Sequence, residues 1–257
     1  MSKTDQNTIS SIVKELIALQ ESHPDFCLDV FGNNISAEQY NLVYEQTLAN
    51  VPLGSTVLDW GCGRGHFSYF LFRCGYKVTS FSIEDSPKIL EGYKQQIEFV
   101  QGSVREPRFL PFSDGQFDAV CSIGVLEHVR ETGGSDSDSL QEILRILKPG
   151  GIFVCAHLPN QLTWIEFLIS LLNPTVFRHQ YLYLKRNILK LWKDNGFGVK
   201  NIYRYAWLPR NIFRKLPASF ANSHLTLFCY NILERSAMLL LYFFHQNFLI
   251  ISRKGKE

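Results

Sequence analysis

Apolar residues along this chain change their period several times, and each change marks an expected element. Between Thr8 and Glu21, the residues Ile9, Ile12, Val13, Leu16, Ile17 and Leu19 recur close to every third or fourth position, which predicts an amphipathic helix. Ser36-Ala-Glu-Gln39 has the form of a capping box and predicts a second helix running to about Ala49. From Gly54 onward, short continuous apolar runs replace the helical period. Gly54–Asp59, Lys77–Ser82, Glu98–Gln101, Phe117–Ile123 and Ile152–Ala156 read as strands, and their unbroken apolar character suits strands covered on both faces. Helices are expected over Phe67–Cys74, closed by Gly75, over Pro87–Ile97, and over Leu140–Lys148, stopped by Pro149-Gly-Gly151. The polar stretch Arg130–Ser139 reads as a loop.

Strands alternating with helices of this length predict βαβ units and a parallel sheet. After Ala156 the pattern changes. Trp164–Leu172 is strongly apolar, Tyr181–Lys193 has an amphipathic helical period, and Phe197–Tyr205 and Gln246–Ser252 read as two more strands. The connection between those two is too long for a hairpin loop and has to carry helices of its own, within the apolar residues 208–245. The expected fold is α/β: a Rossmann-like, seven-stranded, mostly parallel sheet with helices on both faces, plus a helical C-terminal lobe inserted before the last strand. Residues 1–50 are expected to form an N-terminal helical cover, 51–160 the core, and 161–257 a covering helical lobe with the final strands.

With 257 residues and 46% hydrophobic content, the chain can bury one large core and still carry a lobe. Its net charge of +2 hides an asymmetry. Residues 1–160 hold 12 Lys and Arg against 20 Asp and Glu, whereas residues 161–257 hold 14 against 4, for net charges of −8 and +10. The basic second part suits an anionic counterpart, whether a nucleic acid, an acidic small molecule or an anionic membrane surface, or else a solvated face with no partner. The six cysteines include no C-x-x-C pair, so neither a zinc ribbon nor a redox motif is indicated, and no metal centre is expected. Asp5, Lys14 and Glu15 interrupt the start of the chain, so no secretory signal is expected there and the reading is cytoplasmic.

Candidate chemistry centres on Val57-Leu-Asp-Trp-Gly-Cys-Gly-Arg-Gly65, a glycine-rich turn between a strand and a helix. Such turns bring backbone N–H groups close to a ligand. The dinucleotide fingerprint G-x-G-x-x-G needs glycine at position 66, where this chain has His66; here the glycines stand at 61, 63 and 65, preceded by Asp59. Four further segments follow in order: Lys77-Val-Thr-Ser-Phe-Ser-Ile83, Leu110-Pro-Phe-Ser-Asp-Gly-Gln-Phe-Asp-Ala-Val120, Val125-Leu-Glu-His-Val129 and Leu147-Lys-Pro-Gly-Gly151. Together, over roughly residues 50–157, they resemble the motifs of the class I methyltransferases, nearest to the group that includes quinone and other lipid methyltransferases.

The resemblance implies S-adenosylmethionine as cofactor and a small-molecule or lipid-like acceptor. It implies that Asp59 and Gly61 face the methionyl amino group, that Gly63 and Gly65 permit close approach, and that Cys62, Ile83, Val104 and Ser122 complete the cofactor set. Relatives often carry an acid for the ribose hydroxyls where this chain has Ser82, which leaves Glu84 as the substitute. They often carry Gly-Asp where it has Gly102-Ser103, so Ser103 inherits the adenine contact. Alternatively, both serines satisfy local backbone groups.

An oxygen or carbon acceptor has to lose a proton, and histidine suits that near neutral pH. His128, His157 and His179, in that order, are the candidate bases, set against the plainer reading of each as a pocket-wall or capping histidine. A nucleic-acid acceptor is not expected, because no RNA-binding module or dense basic stretch is present and Ser122-Ile-Gly-Val-Leu126 lacks the N/D-P-P-Y/F tetrad. An RNA or protein acceptor and a non-catalytic scaffold are kept as alternatives, and a nicotinamide dehydrogenase is disfavoured by His66.

Residues 216–233 and 236–252 carry no charge, but Asn222, Ser223, His224 and Asn231 interrupt the first stretch and His245-Gln-Asn247 the second, which argues against a membrane span. The expectation is that this lobe packs on the sheet and covers the substrate. The alternative is peripheral contact with an anionic membrane, through Phe213, Phe220, Leu225, Leu239 and Phe243 beside Arg210, Arg214 and Lys215. The sequence leaves oligomeric state open.

Overall fold

The computed structural model describes residues 3–103, 109–165, 168, 180–208 and 216–255. Seven strands, β1 (Thr56–Trp60), β2 (Lys77–Ser82), β3 (Glu98–Gln101), β4 (Phe117–Ile123), β5 (Leu147–Pro159), β6 (Phe197–Tyr205) and β7 (Asn247–Lys254), form one sheet in the order β3-β2-β1-β4-β5-β7-β6. The first five pair in parallel, and β7 runs antiparallel between β5 and β6. The strand order reverses between β1 and β4. In open α/β sheets a crevice forms at such a switch point, beyond the carboxyl ends of the strands.

Alternation along β1 explains both layers. Val57 enters one core together with Ala119, Cys121 and Val154, while Leu58 and Trp60 enter the other with Val120, Phe153 and Cys155. On the first face, α1 (Lys3–Ser22), α2 (Asn34–Glu38) and α3 (Asn41–Asn50) precede α4 (His66–Arg73). Ile9, Ile12, Val13, Leu16 and Ile17 of α1 are buried against Val43 and Tyr44 of α3 and Phe70 of α4. On the second face lie α6 (Asp136–Ile146) and α7 (Lys185–Asp194). Trp192 stacks on Phe153 with ring centroids 6.0 Å apart, and its Nε1–H donates to Ser252 Oγ at 3.1 Å.

Several boundaries differ from those the sequence suggests. Ser36 does not cap a helix: Asn33 does, its Oδ1 accepting the Ser36 N–H at 2.9 Å, and the chain breaks near Tyr40 before α3 begins. The expected helix over Pro87–Ile97 is the single turn α5 (Lys88–Glu91). The helix placed at Leu140–Lys148 starts earlier, because Ser135 Oγ accepts the Asp138 N–H at 3.0 Å and caps it. Pro149-Gly-Gly151 does not end that helix. The backbone is already extended at Leu147, and the three residues lie within β5. The helix read from Tyr181 begins at Lys185, since Tyr183 is bridged to Asn160 instead.

The inserted lobe contains α8 (Ala218–Ala221) and α9 (His224–Leu240). Tyr230 of α9 joins Ile35 of α2 and Ala221 of α8 in a small separate core.

Candidate cofactor and substrate cleft

The turn leaving β1 is tied to the neighbouring strand before it can reach a ligand. The N–H groups of Gly61 and Cys62 both donate to the Phe81 carbonyl, at 2.8 and 2.9 Å. Gly61, Gly63 and Gly65 all have positive φ, at 75°, 50° and 81°, where a side chain is disfavoured. Their surroundings differ. A Cβ on Gly61 would overlap the Val125 side chain, and one on Gly65 would come within 2.9 Å of both Ile89 and Pro87. A Cβ on Gly63 would meet only the Gly61 carbonyl, at 4.0 Å. Two of the glycines therefore serve packing, and the third faces open space.

Beneath the turn lies Asp59, almost wholly buried. Its Oδ2 accepts the Ser68 hydroxyl at 2.6 Å, and Ser80 Oγ donates to Ser68 Oγ at 2.7 Å. Burial pushes the Asp59 carboxyl up to about 7, with the hydrogen bonds from Ser68 acting against that shift.

Gly63 stands where two depressions meet. One, of about 220 Å³, has apolar walls from Trp60, Phe81, Ile83, Val125 and Val129, with Ser82, Glu84 and His128 supplying polar atoms. The other, of about 280 Å³, lies under Leu28–Phe31 and includes Cys62, Arg64, His66 and Ile123. Gly61, Gly63 and Gly124 line both. A larger depression of about 860 Å³ lies near the opposite end of β1 and β2, around Thr56 and Lys77, away from the glycine turn.

The histidines occupy different positions. His128 is half-exposed on the cleft wall, and its Nδ1 lies 2.8 Å from Glu131 Oε2. His157 is buried at φ +66°, and both its N–H and its Nδ1 contact Tyr205 Oη, at 3.0 and 2.8 Å. Its ring meets Tyr40 edge-on at 5.1 Å, and Tyr40 meets His66 at 4.7 Å, so the N-terminal cover and the end of β5 close on one aromatic cluster.

A family model described as a methyltransferase domain matches residues 58–155, the stretch that builds the turn and both walls. Over 192 residues the chain is 32% identical to the demethylmenaquinone methyltransferase of Bacillus licheniformis, covering 70% of this chain and 73% of that protein. The chain belongs to the class I S-adenosylmethionine-dependent methyltransferases. It is also 35% identical to the 2-methyl-6-phytyl-1,4-hydroquinone methyltransferase of Synechocystis sp., over 42% of this chain and 34% of that one. Among solved structures, the 1,6-didemethyltoxoflavin-N1-methyltransferase of Burkholderia thailandensis, which contains S-adenosylhomocysteine, superposes with a TM-score of 0.54 at 15% identity, covering 99% of this chain and 91% of that one. The chain spans less than two thirds of the length of several curated relatives it matches, 58% and 59% in two cases.

The methyltransferase cofactor fits this turn: Gly63 lines both depressions, and a Cβ there would project into their open space instead of into the protein. Of the residues picked from sequence, Gly61, Cys62, Gly63, Ser82, Ile83, Glu84 and His128 line the two depressions. Asp59 and Gly65 support the turn from behind. Ser122 is fully buried beside Trp60 and Cys155 in the sheet register and stands on neither wall. Ser103 is exposed, next to Gly102, where a Cβ would overlap the Phe81 ring. The Ser82 hydroxyl accepts the Glu84 N–H at 3.0 Å, which is the local backbone role considered for it. Val104 and His179 lie outside the described residues.

Sequence reasoning passed over Trp60, Phe81, Gly124, Val125 and the part of His66 as a wall residue. Gly124 carried a signal, a glycine directly after a strand; the aromatic side chains read only as core.

Proposed function

We propose that this methyltransferase transfers the methyl group of S-adenosylmethionine to a small-molecule or lipid-like acceptor. The observation that carries the reading is the open face of Gly63 between two depressions, one apolar-walled with Ser82 and Glu84, the other beneath the N-terminal cover. When bound, the cofactor supplies a methyl carbon on a cationic sulfonium, ready for in-line displacement. The chain's own residues then have to hold the two reactants in line and keep water out. Trp60, Phe81 and Val125 supply dry walls on one side, and Phe31, Tyr40 and His66 close the other. The names of relatives acting on quinones, hydroquinones and sterols support an apolar ring-bearing acceptor.

His128 is the first candidate for the base. With its Nδ1 2.8 Å from Glu131 Oε2, the ring is held on the wall of the depression that Gly63 shares. His157 is second, its Nδ1 being engaged by Tyr205, and His179 is third. Replacement His128→Gln is expected to lower turnover of a hydroxyl acceptor by about 100-fold or more, with cofactor affinity changed less than about twofold. Turnover left intact at saturating acceptor removes His128 as base and passes the role to His157, tested in the same way.

One observation favours a second reading, a binding protein that no longer turns over: the Ser82 hydroxyl, where the family resemblance implies an acid, already serves the Glu84 backbone. Absence of methyl transfer to any quinol or phenol, together with retained cofactor binding, selects it.

A further inference from the structure

Near the end of β5 the chain departs twice from ordinary strand geometry at one residue. His157 is the extra residue of a bulge: Ala156 pairs with Leu249 of β7, Leu158 pairs with Phe248, and His157 lies between the two pairs. Its φ of +66° is in the left-handed region, where glycine is at ease and a bulky side chain is strained. A bulge re-aims the side chain it carries, and strain of this kind persists only where the surroundings hold it. Tyr205, the last residue of β6, does the holding. Its buried phenol oxygen accepts the His157 N–H at 3.0 Å and lies 2.8 Å from His157 Nδ1. One oxygen thus fixes backbone and ring together.

The imidazole so held abuts the floor of the cleft. A Cβ on Gly124 would stand 3.8 Å from His157 Cδ2 and 3.7 Å from Oε1 of the buried Glu127. Gly124 lines both depressions, and it has no side chain to screen either group. The Tyr40 ring, which meets the imidazole edge-on, also meets His66 in the second depression. Apolar walls therefore end on a floor backed by polar groups. Sites of this build orient an apolar ligand through a few fixed polar contacts.

We propose that His157 hydrogen-bonds the heteroatom of the methyl acceptor, and that Tyr205 is the positioning residue that sets the ring for that contact. The acceptor it fits carries a hydroxyl on an apolar ring. The inference rests on the methyl-transfer reading of the cleft and holds whichever histidine is the base.

The test is imidazole nitrogen NMR of the whole chain and of its Tyr205→Phe and His157→Asn variants, each bound to S-adenosylhomocysteine and titrated with methylhydroquinone as the acceptor probe. Phenylalanine keeps the ring of Tyr205, and asparagine tolerates a left-handed backbone, so both variants are expected to fold. In the parent, the two ring nitrogens of His157 are expected to give the well-separated shifts of one tautomer, and to move as the probe binds. In Tyr205→Phe the two shifts are expected to converge. Both variants and the double variant are expected to lose at least about tenfold in affinity for the probe, by the same factor, while S-adenosylhomocysteine binds within about twofold of the parent. His157 shifts that Tyr205→Phe leaves unchanged overturn the proposal, as do shifts that the probe leaves unmoved in the parent complex. Unaltered probe affinity in either variant overturns it too. Failure of S-adenosylhomocysteine to bind the parent is a different result, and overturns the methyl-transfer reading itself.

Discussion

At the scale of single residues, Asp59 has the largest consequence. Its carboxyl is buried beside Ser68 and Ser80 with no cation among its hydrogen-bond partners, and burial lifts it to about 7 from an ordinary 3.8. An acid whose folded value lies above its unfolded one contributes stability that is complete below the unfolded value and is lost as pH rises through the folded one. The slope approaches about 1.4 kcal/mol per pH unit between the two. Asp59→Asn has nothing to ionise there. Its unfolding free energy is therefore expected to fall less steeply than the parent's between about pH 4 and about pH 7, as read by denaturant titration along that range. Parallel pH profiles would show that Asp59 ionises normally. Its place before the glycines was legible from the sequence. Its hydrogen bond to Ser68 of α4, which in turn accepts from Ser80 of β2, was not, because it joins positions that only the fold brings together.

At the scale of elements, the β1–α4 turn divides its glycines between two tasks. Gly61→Ala forces a methyl into Val125 and an unfavourable backbone at once, with an expected cost of about 3 kcal/mol. Gly63→Ala meets no neighbour, so its stability cost is held to about 1 kcal/mol, while the methyl enters the cleft and weakens S-adenosylmethionine at least about tenfold. Thermal unfolding and calorimetry on the two variants separate these effects, and equal losses of affinity and stability in both would contradict the division. The spacing of the three glycines was readable, but not which one faces the ligand. Helix starts were less legible: Ser36 and Asn33 are both sound caps by chemistry, and the choice fell to Asn33 because Ser36 is buried with its hydroxyl bonded to Val30. Likewise Pro149-Gly-Gly151 looks like a helix stop. The pairing of Gly150 with Gly255 instead carries it into β5, through a contact more than a hundred residues away in sequence.

At the scale of the molecule, the seven strands and the late insertion before β7 were legible because parallel strands buried on both faces leave short unbroken apolar runs. The packing of α9 against α2 was not, because an apolar helical period does not say which neighbour covers it. The sheet order creates the crevice at the β1–β4 switch. The central claim is that the crevice around Gly63 holds a sulfonium nucleoside. Calorimetric titration of the whole chain with S-adenosylmethionine, its demethylated product and NAD tests it most directly. Dissociation constants of about 1–100 μM for the first two and none measurable for NAD are expected. Heats indistinguishable from dilution with the methyl donor at millimolar concentration, or a preference for NAD, would contradict the account.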